Sequence, residues 1–396
     1  MDLTYTAIIL ASLLVGVLAN PGVSRKDLLR WLLYEQIWDG KVRPGIDTGE
    51  PDNVTLQLLV KNLHSVSEAN MQYSLEVFLR MWWQDERLNF TANHTSYNCV
   101  ELDVNQMRAV WEPDLYFSNE LQGATHKITS SNRLMHLFKN GTIVFSIRLS
   151  LTLSCLMHLQ YYPFDTQACP VSVQSFGHTS RSILLNWLPD KAVVMDKKEI
   201  PNFNIWYNLG PDRTNERVNT EVFSTLSVDF VLKRKIGLYF MQVFVPSLLF
   251  VVLSWVSFWV DHKAVPARVS LGITCVLAIV TQSSGIHHVL PNVSYPTAID
   301  IWMLVCQLYV FAALLEFAIV NVLDKTVNDA VDSCGQKCWS VLCHVQGNAE
   351  RAQRVDVISR LVFPATFVLF TCIFFIVVES KNDSMNYENL FTTEAN

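Results

Sequence analysis

The residues with the clearest chemical pattern form a polar stripe inside a long apolar segment. On an ideal α-helix, the side chains of this stripe fall within about 40° of Ser270: Pro266, Ser270, Thr274, Leu277, Thr281, Ser284 and His288. Hydroxyl groups on a membrane helix often serve helix packing, which is one interpretation. A full stripe of hydroxyls flanked by apolar faces fits a water-filled path for ions better, with Leu277 as an apolar constriction that closes by dewetting.

Charge at the start of this segment bears on which ions would pass. Arg268 lies there, and no Asp or Glu occurs between Lys263 and Ser270. Rings of basic residues and helix N-termini favour anions, whereas rings of Asp or Glu favour cations. We therefore predict that Pro266, Ala267 and Arg268 select anions. A cation-permeable channel is the alternative.

Reactive side chains elsewhere do not form a catalytic set. Glu316 is the only charged residue inside the apolar segments, and no nucleophile and base converge on it. Cys334, Cys338 and Cys343 with His344 superficially resemble zinc ligands, but they lack paired C-x-x-C spacing. Lipid attachment explains these cysteines better. We expect neither enzyme activity, nor a cofactor, nor a metal.

The composition indicates a membrane protein. Only 17% of the 396 residues are charged, and the mean hydropathy is +0.22, whereas soluble proteins carry about 25% charged residues. The net charge of −6 argues against nucleic acid as a partner, because nucleic acid requires a basic patch.

Four apolar segments are each close to the length of about 20 residues that crosses a bilayer. They are residues 236–260, 269–286, 301–322 and 361–378. The expected organisation is three transmembrane helices in 236–322, a short cytoplasmic loop at 323–358, a fourth helix at 359–380 and an extracellular tail at 381–396.

Basic residues indicate how these helices are oriented. The loops after the first and third segments contain Lys and Arg, whereas the loop at 287–300 contains neither. Both termini are therefore expected outside the cell. Asn-X-Ser/Thr sequons occur only in segments predicted outside, and glycosylation is expected at Asn53, Asn89, Asn93 and Asn140.

The region before the first membrane segment has two parts. Residues 7–19 are apolar but too short to span a bilayer, so residues 1–19 are interpreted as a signal peptide, with a buried N-terminal helix as the alternative. Residues 20–235 contain one helical pattern at 23–35 and then short alternating runs. One run follows the Asn140-Gly141 turn signal. Such strands predict a β-sandwich.

Three of the nine cysteines fall in this outer region. Cys155 and Cys169 enclose 13 residues, which include Tyr162-Pro163-Phe164-Asp165. A disulfide between them is compatible with an oxidising compartment. Cys99 is then an odd thiol that is either buried or paired between chains.

These features together resemble the Cys-loop receptors, the pentameric ligand-gated ion channels. The resemblance is most specific in four stretches, which are similar to glycine-, GABA- and glutamate-gated chloride channels: Pro266-Ala-Arg-Val-Ser-Leu-Gly-Ile-Thr274, Thr281-Gln-Ser-Ser-Gly285, Leu290-Pro-Asn-Val-Ser-Tyr295 and Ala298-Ile-Asp-Ile-Trp302. It implies an extracellular immunoglobulin-like β-sandwich followed by a four-helix bundle in the plasma membrane. It also implies the Cys155–Cys169 disulfide, four further subunits, contact with lipid and a chloride pore.

The resemblance also implies an agonist pocket between neighbouring subunits. The principal face would contribute Tyr116, Ser118, Phe176, His178, Thr220 and Phe223. The complementary face would contribute Phe78, Arg80, Leu134 and Ser146. Aromatic faces attract an ammonium group, and arginine binds a carboxylate through two parallel hydrogen bonds. Coupling between this pocket and the membrane is expected at Pro163, Phe164, Asp165 and Arg234.

Two departures leave the agonist open. Gln174 stands where the similar amino-acid receptors commonly have an acid, and His178 stands where they commonly have a tyrosine. The chain is therefore either opened by a small agonist or is an orphan or obligate-heteromer subunit that is silent alone. The titratable pair His287 and His288 at the outer mouth leaves a proton-modulated channel as a further alternative.

Overall fold

The computed structural model describes residues 24–35, 39–91, 97–196, 199–210, 214–218, 221–261, 264–287, 293–333 and 339–384. The predicted signal peptide, Thr220, Asn93 and His288 lie outside these residues. Within the described part, a β-sandwich precedes four long helices. The predictions of a β-sandwich and of four apolar helices are both confirmed.

Thirteen strands build the sandwich. In chain order they are β1 (Asp52–Ser67), β2 (Gln72–Gln84), β3 (Cys99–Leu102), β4 (Leu115–Phe117), β5 (Glu120–Thr125), β6 (Arg133–Phe138), β7 (Thr142–Ser154), β8 (Thr166–Ser175), β9 (Ile183–Trp187), β10 (Val193–Met195), β11 (Phe203–Leu209), β12 (Thr214–Val218) and β13 (Glu221–Arg234). One sheet has eight strands, with the order β10-β1-β2-β7-β6-β3, β5 on β7 and β9 on β1. The other has five, with the order β11-β13-β8-β4 and β12 on β13.

Alternating burial explains why these segments form a sandwich. Along β2 every second side chain is buried, from Tyr73 to Trp83, as expected for a strand with one face on the core. The predicted turn at Asn140-Gly141 joins β6 to β7. Gly141 has a φ of +83°, and a Cβ there would lie 2.4 Å from the Asp85 carbonyl oxygen. Only glycine suits this turn.

Two short helices accompany the strands. Helix α1 (Arg25–Arg30) continues through a π-turn at Trp31–Glu35. Its leucines at positions 28, 29, 32 and 33 are buried, which confirms the helical pattern found in the sequence. Helix α2 (Val104–Met107) begins at a capping box formed by Asp103 and Gln106.

Among the described residues, four helices are long and apolar enough to cross a membrane, as expected of a multi-pass membrane protein. They are α3 (Gly237–Phe258), α4 (Val265–His287), α5 (Ala298–Ser333) and α6 (Trp339–Ser384). Helices α5 and α6 extend well into the segment 323–358, which was predicted only as a loop. The apolar windows end at Leu323 and resume at Arg354. Hydropathy locates where a helix leaves the bilayer but not where the helix ends.

Trp302 of α5 lies at the centre of the bundle. Its indole Nε1 donates a hydrogen bond to Ser247 Oγ at 2.9 Å, and its rings lie 5.1 Å from Phe244 and 5.3 Å from Phe374. Such aromatic contacts join α3, α5 and α6 by packing. The fourth helix, α4, packs one face against this bundle and leaves its other face exposed.

Candidate functional site

The first group of predicted pocket residues lies on the five-stranded sheet. Tyr116 on β4 pairs in register with Gln174 on β8. The rings of Tyr116 and Phe176 meet edge to face, with centroids 5.7 Å apart. The Gln174 amide donates to the Tyr116 hydroxyl, and Thr225 Oγ1 donates to Gln174 Oε1 at 3.1 Å. The buried Gln174 amide thus positions the Tyr116 ring.

Asp114 organises the loop that presents Phe176. Its carboxylate accepts hydrogen bonds from Ser175 Oγ at 2.6 Å and from the Gly177 amide at 2.7 Å. The His178 amide in turn donates to Ser175 Oγ at 3.0 Å. Held in this way, Phe176 leaves 77% of its surface exposed. The exposed Phe176 ring and the adjacent Tyr116 ring form a small aromatic surface, and aromatic faces can attract a cation.

The other members of this group are placed less tightly. Phe223 lies half-buried on β13, two residues before Thr225, which pairs with Gln174. Ser118 is exposed, and its amide donates to the Ser172 carbonyl at 3.0 Å. Thr220 lies outside the described residues. The structure therefore brings Tyr116 and Phe176 into contact and places Phe223 on the adjacent strand.

The second group forms a row across the eight-stranded sheet. Arg80 on β2 is opposite Ser146 on β7, which is opposite Leu134 on β6. On the other side, Arg80 Nη1 donates to Gln57 Oε1 of β1 at 3.3 Å. Leu134 is 47% exposed. This row offers one guanidinium beside an apolar side chain.

A second arginine, which the predicted set omitted, lies next to this row. Arg148 Nε donates to Glu76 Oε1 at 2.8 Å, and its guanidinium carbon lies 6.0 Å from the centre of the Phe78 ring. Glu76, Phe78 and Arg80 occupy alternate positions of β2 and so share one face. The same alternation in the sequence could have identified Glu76.

The two groups lie on different sheets. The aromatic group belongs to β4, β8 and β13, whereas the arginine row belongs to β1, β2, β6 and β7. The described part of one chain therefore presents two half-sites rather than one closed pocket.

Arg234, at the end of β13, is the centre of a buried charge cluster. Its Nε and Nη2 donate to Asp165 at 2.8 and 3.2 Å, and Nη1 bonds to Glu68 and to the Tyr239 hydroxyl at 3.2 Å. Burial alone would lower the pKa of Arg234, but Asp165 and Glu68 raise it overall. The guanidinium also lies 4.6 Å from the Tyr162 ring.

The loop between Cys155 and Cys169 rests on the membrane helices. The two cysteines form a disulfide, and the Tyr162–Pro163 bond is cis. The amide of Ala298, the first residue of α5, donates to the Gln160 carbonyl at 2.8 Å. The Phe164 ring lies 5.8 Å from that of Phe244 in α3. Movement of this loop would therefore act directly on α3 and α5.

The polar stripe lies on the free face of α4. Its described members are all exposed or half-exposed, and Leu277 is 63% exposed. The opposite face is buried at Arg268, Gly272, Cys275 and Ile279. A Cβ on Gly272 would lie 2.5 Å from Leu314 Cδ1, so this buried face packs tightly on α5.

Stripe hydroxyls are partly bonded to their own helix. Thr274 Oγ1 donates to the carbonyls of Ser270 and Leu271, both at 2.9 Å. Thr281 Oγ1 donates to the carbonyls of Leu277 and Ala278 at 3.0 and 2.8 Å. The hydroxyl oxygen lone pairs remain available, so these side chains can still accept hydrogen bonds from water.

Arg268, which the sequence analysis assigned to anion selection with Pro266 and Ala267, has its side chain on the buried face of α4. The Arg268 side chain is 1% exposed, and Nη1 and Nη2 donate to Asp356 of α6 at 3.2 and 3.0 Å. Nε donates to the Val260 carbonyl at 3.0 Å. On an ideal helix Arg268 falls about 160° from Ser270, so the helical period itself places it on the buried face. Pro266 and Ala267 do lie on the exposed face.

Several remaining predicted residues have ordinary surroundings. Asn53, Asn89 and Asn140 are exposed, as an attachment site for a glycan requires. Cys99 is half-buried, and burial and Glu101 raise the pKa of its thiol. Cys275 is buried inside the bundle.

Two family models match the chain. The model of the neurotransmitter-gated ion-channel ligand binding domain matches residues 25–236. The model of the neurotransmitter-gated ion-channel transmembrane region matches residues 243–338. The first match covers the β-sandwich with its disulfide, and the second covers α4, α5 and most of α3. The chain therefore belongs to the neurotransmitter-gated ion-channel family, the Cys-loop receptors, which are pentameric ligand-gated channels and not enzymes.

Proposed function

We propose that this chain is a subunit of a pentameric chloride channel in the plasma membrane, opened by a small extracellular agonist bound between subunits. The observation that carries this proposal is the pair of half-sites on different sheets. In a closed ring, each subunit presents one of its faces to each neighbour. The aromatic half of one subunit then meets the arginine half of the next.

Charge in the two half-sites supports an agonist with an anionic group. Arg80 is half-buried and is bonded only to neutral Gln57 among the contacts described, so its charge is available to a carboxylate. Arg148, in contrast, already faces Glu76. Tyr116, Phe176 and Phe223 would cover the other end of the agonist.

Chloride selectivity has to rest on the backbone at the start of α4. Arg268 is neutralised by Asp356, and residues 264–270 contain no acid. The N-terminus of a helix presents partial positive charge, and five such helices would surround the inner mouth. Pro266 and Ala267 set how closely the chloride ion approaches them.

Orientation follows from the loops. Basic residues between α3 and α4 and between α5 and α6 support a cytoplasmic position for both connections. The β-sandwich and both termini are then outside the cell, where glycans at Asn53, Asn89, Asn93 and Asn140 would be attached.

Gating would pass through the buried cluster at the base of the sandwich. Closure of the pocket around an agonist shifts β8 and β13. Strand β8 begins one residue after Asp165, and β13 ends at Arg234. The loop that contains Pro163 and Phe164 then moves α3 and α5, and α4 follows.

Expression of this chain alone, with whole-cell recording against a panel of transmitters and stepped external pH, tests the proposal. An agonist-evoked current that is lost in Arg80→Ala supports the pocket between subunits. The departures at Gln174 and His178 leave the agonist open, and the second candidate is an orphan or obligate-heteromer subunit that does not respond alone. Silent homomers at the cell surface that gain a current with a second subunit would favour this candidate.

A further inference from the structure

The end of the helix bundle farthest from the sandwich buries more acid than base. Glu316 of α5 is 7% exposed, Asp356 of α6 is 5% exposed and Arg268 of α4 is 1% exposed. Two buried carboxyl groups therefore lie near one buried guanidinium in the low-dielectric interior. Acidic residues within membrane segments are expensive and usually have a function.

The guanidinium is already fully engaged. Arg268 donates to both carboxylate oxygens of Asp356 and to the Val260 carbonyl. Neither Oε1 nor Oε2 of Glu316 has a hydrogen-bond partner among the described residues, although Asp356 and Ser359 lie close enough to interact with it. One carboxyl group is thus paired and the other is not.

Among the described side chains, the neighbouring elements supply no second buried positive charge. Helix α3 has no charged residue between Gly237 and Phe258. On α6, Arg360 is turned away, since its Nε donates to the Phe258 carbonyl at 3.0 Å and its guanidinium lies over the Trp259 ring. Asp261 is exposed beyond the end of α3. Arg354 of α6, two residues before Asp356, is exposed. Arg268 is the buried cation of this cluster.

An unpaired buried carboxylate is so costly that such a group takes up a proton instead. The negative charge of Asp356 adds to this cost. We propose that Glu316 carries a proton in the folded channel, and that loss of this proton loosens the Arg268–Asp356 pair between α4 and α6. The inference depends on the fold and not on the ion or agonist proposed above.

The consequence for gating follows from the position of Arg268. With Glu316 neutral, Asp356 is free to bind the guanidinium and so fixes the start of α4 against α6. Ionised Glu316 would compete with Asp356 for Arg268 and would repel Asp356. Two like charges at short range favour either protonation of one group or separation of the two groups. Alkaline solution at this end of the bundle would then shift α4 and change the opening equilibrium.

Infrared spectroscopy of the purified pentamer, titrated from about pH 6 to about pH 9, measures the proton directly. The wild type should show a carbonyl band from a protonated carboxyl group that disappears at alkaline pH. Glu316→Gln should lose this band. Glu379→Gln changes an exposed carboxyl group near the other end of α6 and should keep it. An unchanged band in Glu316→Gln would overturn the proposal.

Inside-out patches test the consequence for gating. Raising the pH on the cytoplasmic face should shift channel opening in the wild type and in Glu379→Gln, and this shift should be lost in Glu316→Gln. The amide preserves the shape of the protonated acid, so a purely structural role of Glu316 would leave the pH shift intact. Wild-type opening that does not change with cytoplasmic pH contradicts the proposed switch, whatever the infrared result.

Discussion

Asp165 and Arg234 form the most completely buried charge pair at the base of the sandwich, with both side chains 1% exposed. The pair joins the disulfide-closed loop to the end of β13. Such a pair contributes less through its own attraction than through the cost of leaving one partner alone. Loss of one partner should therefore lower the free energy of unfolding.

The first prediction at the residue scale concerns this pair. Asp165→Asn should destabilise the folded protein by about 3–5 kcal/mol, because it leaves a buried guanidinium incompletely paired. Thermal unfolding of the purified protein and labelling at the cell surface measure the loss. Lys235→Ala, which breaks the exposed pair with Glu199, is the control and should cost about 0–1 kcal/mol. Equal stability of the two variants would contradict this account.

The second residue-scale prediction concerns Arg80. For an agonist with a carboxylate, Arg80→Ala should raise the half-maximal concentration about 10- to 100-fold, because a charged hydrogen bond contributes about 1.5–3 kcal/mol. Concentration–response curves measure this shift. Lys61→Ala, which breaks an exposed ion pair with Asp196, should leave the curve in place. The assignment of the arginine half-site fails if both variants respond like the wild type.

At this scale the sequence predicted residue types better than their partners. Tyr116 and Phe176 meet as the resemblance implied, and the alternation of β2 put Phe78 and Arg80 on one face. The charge of Arg268 alone does not show that its side chain lies on the buried face, about 160° from Ser270. Asp356 is 88 residues away in the chain, so only the fold could show that it neutralises Arg268.

Among the elements, α4 is distinguished by its two unlike faces. Its buried face is small and tightly packed, as at Gly272, while its free face carries the hydroxyl stripe interrupted by Leu277. A wet stripe with one apolar side chain is the arrangement expected of a pore that closes by dewetting.

The prediction for this element is that Leu277→Thr raises resting current or agonist sensitivity, because a hydroxyl ring lowers the cost of a continuous water column. Whole-cell recording without and with agonist measures both. Val280→Thr adds the same hydroxyl to an exposed residue that lies about 80° from Ser270 on the helix, and should have the smaller effect. If Leu277→Thr stays silent at rest with unchanged sensitivity, Leu277 is not the barrier.

The spans were predictable from hydropathy alone, but the shape of α3 was not. A π-turn at Phe240–Phe244 precedes Pro246, since proline lacks the N–H that would continue the helix ladder. Gln282 Nε2 of α4 donates to the Gln242 carbonyl, four residues before Pro246, at 3.5 Å and to the neighbouring Val243 carbonyl at 3.0 Å. The sequence shows the proline, but it does not show that a side chain of another helix supplies the missing hydrogen-bond donor.

For the whole molecule, the proposed assembly would use three exposed surfaces of the described subunit: the aromatic half-site, the arginine half-site and the stripe of α4. A ring of subunits satisfies all three at once. Membership of the pentameric family makes this assembly the expected one, and the central claim is that the assembled pore conducts chloride.

The reversal potential of the agonist-evoked or spontaneous current, measured while external chloride is replaced by a large organic anion, tests that claim most directly. The reversal potential should follow the chloride gradient and should not change with the sodium gradient. Deleting Pro266 and changing Ala267 to Glu should move permeability toward cations, because five carboxylates would then face the helix N-termini. Substituting Glu for Ala264, a half-buried residue before α4, should have a weaker effect. A wild-type current whose reversal potential follows sodium would contradict the account.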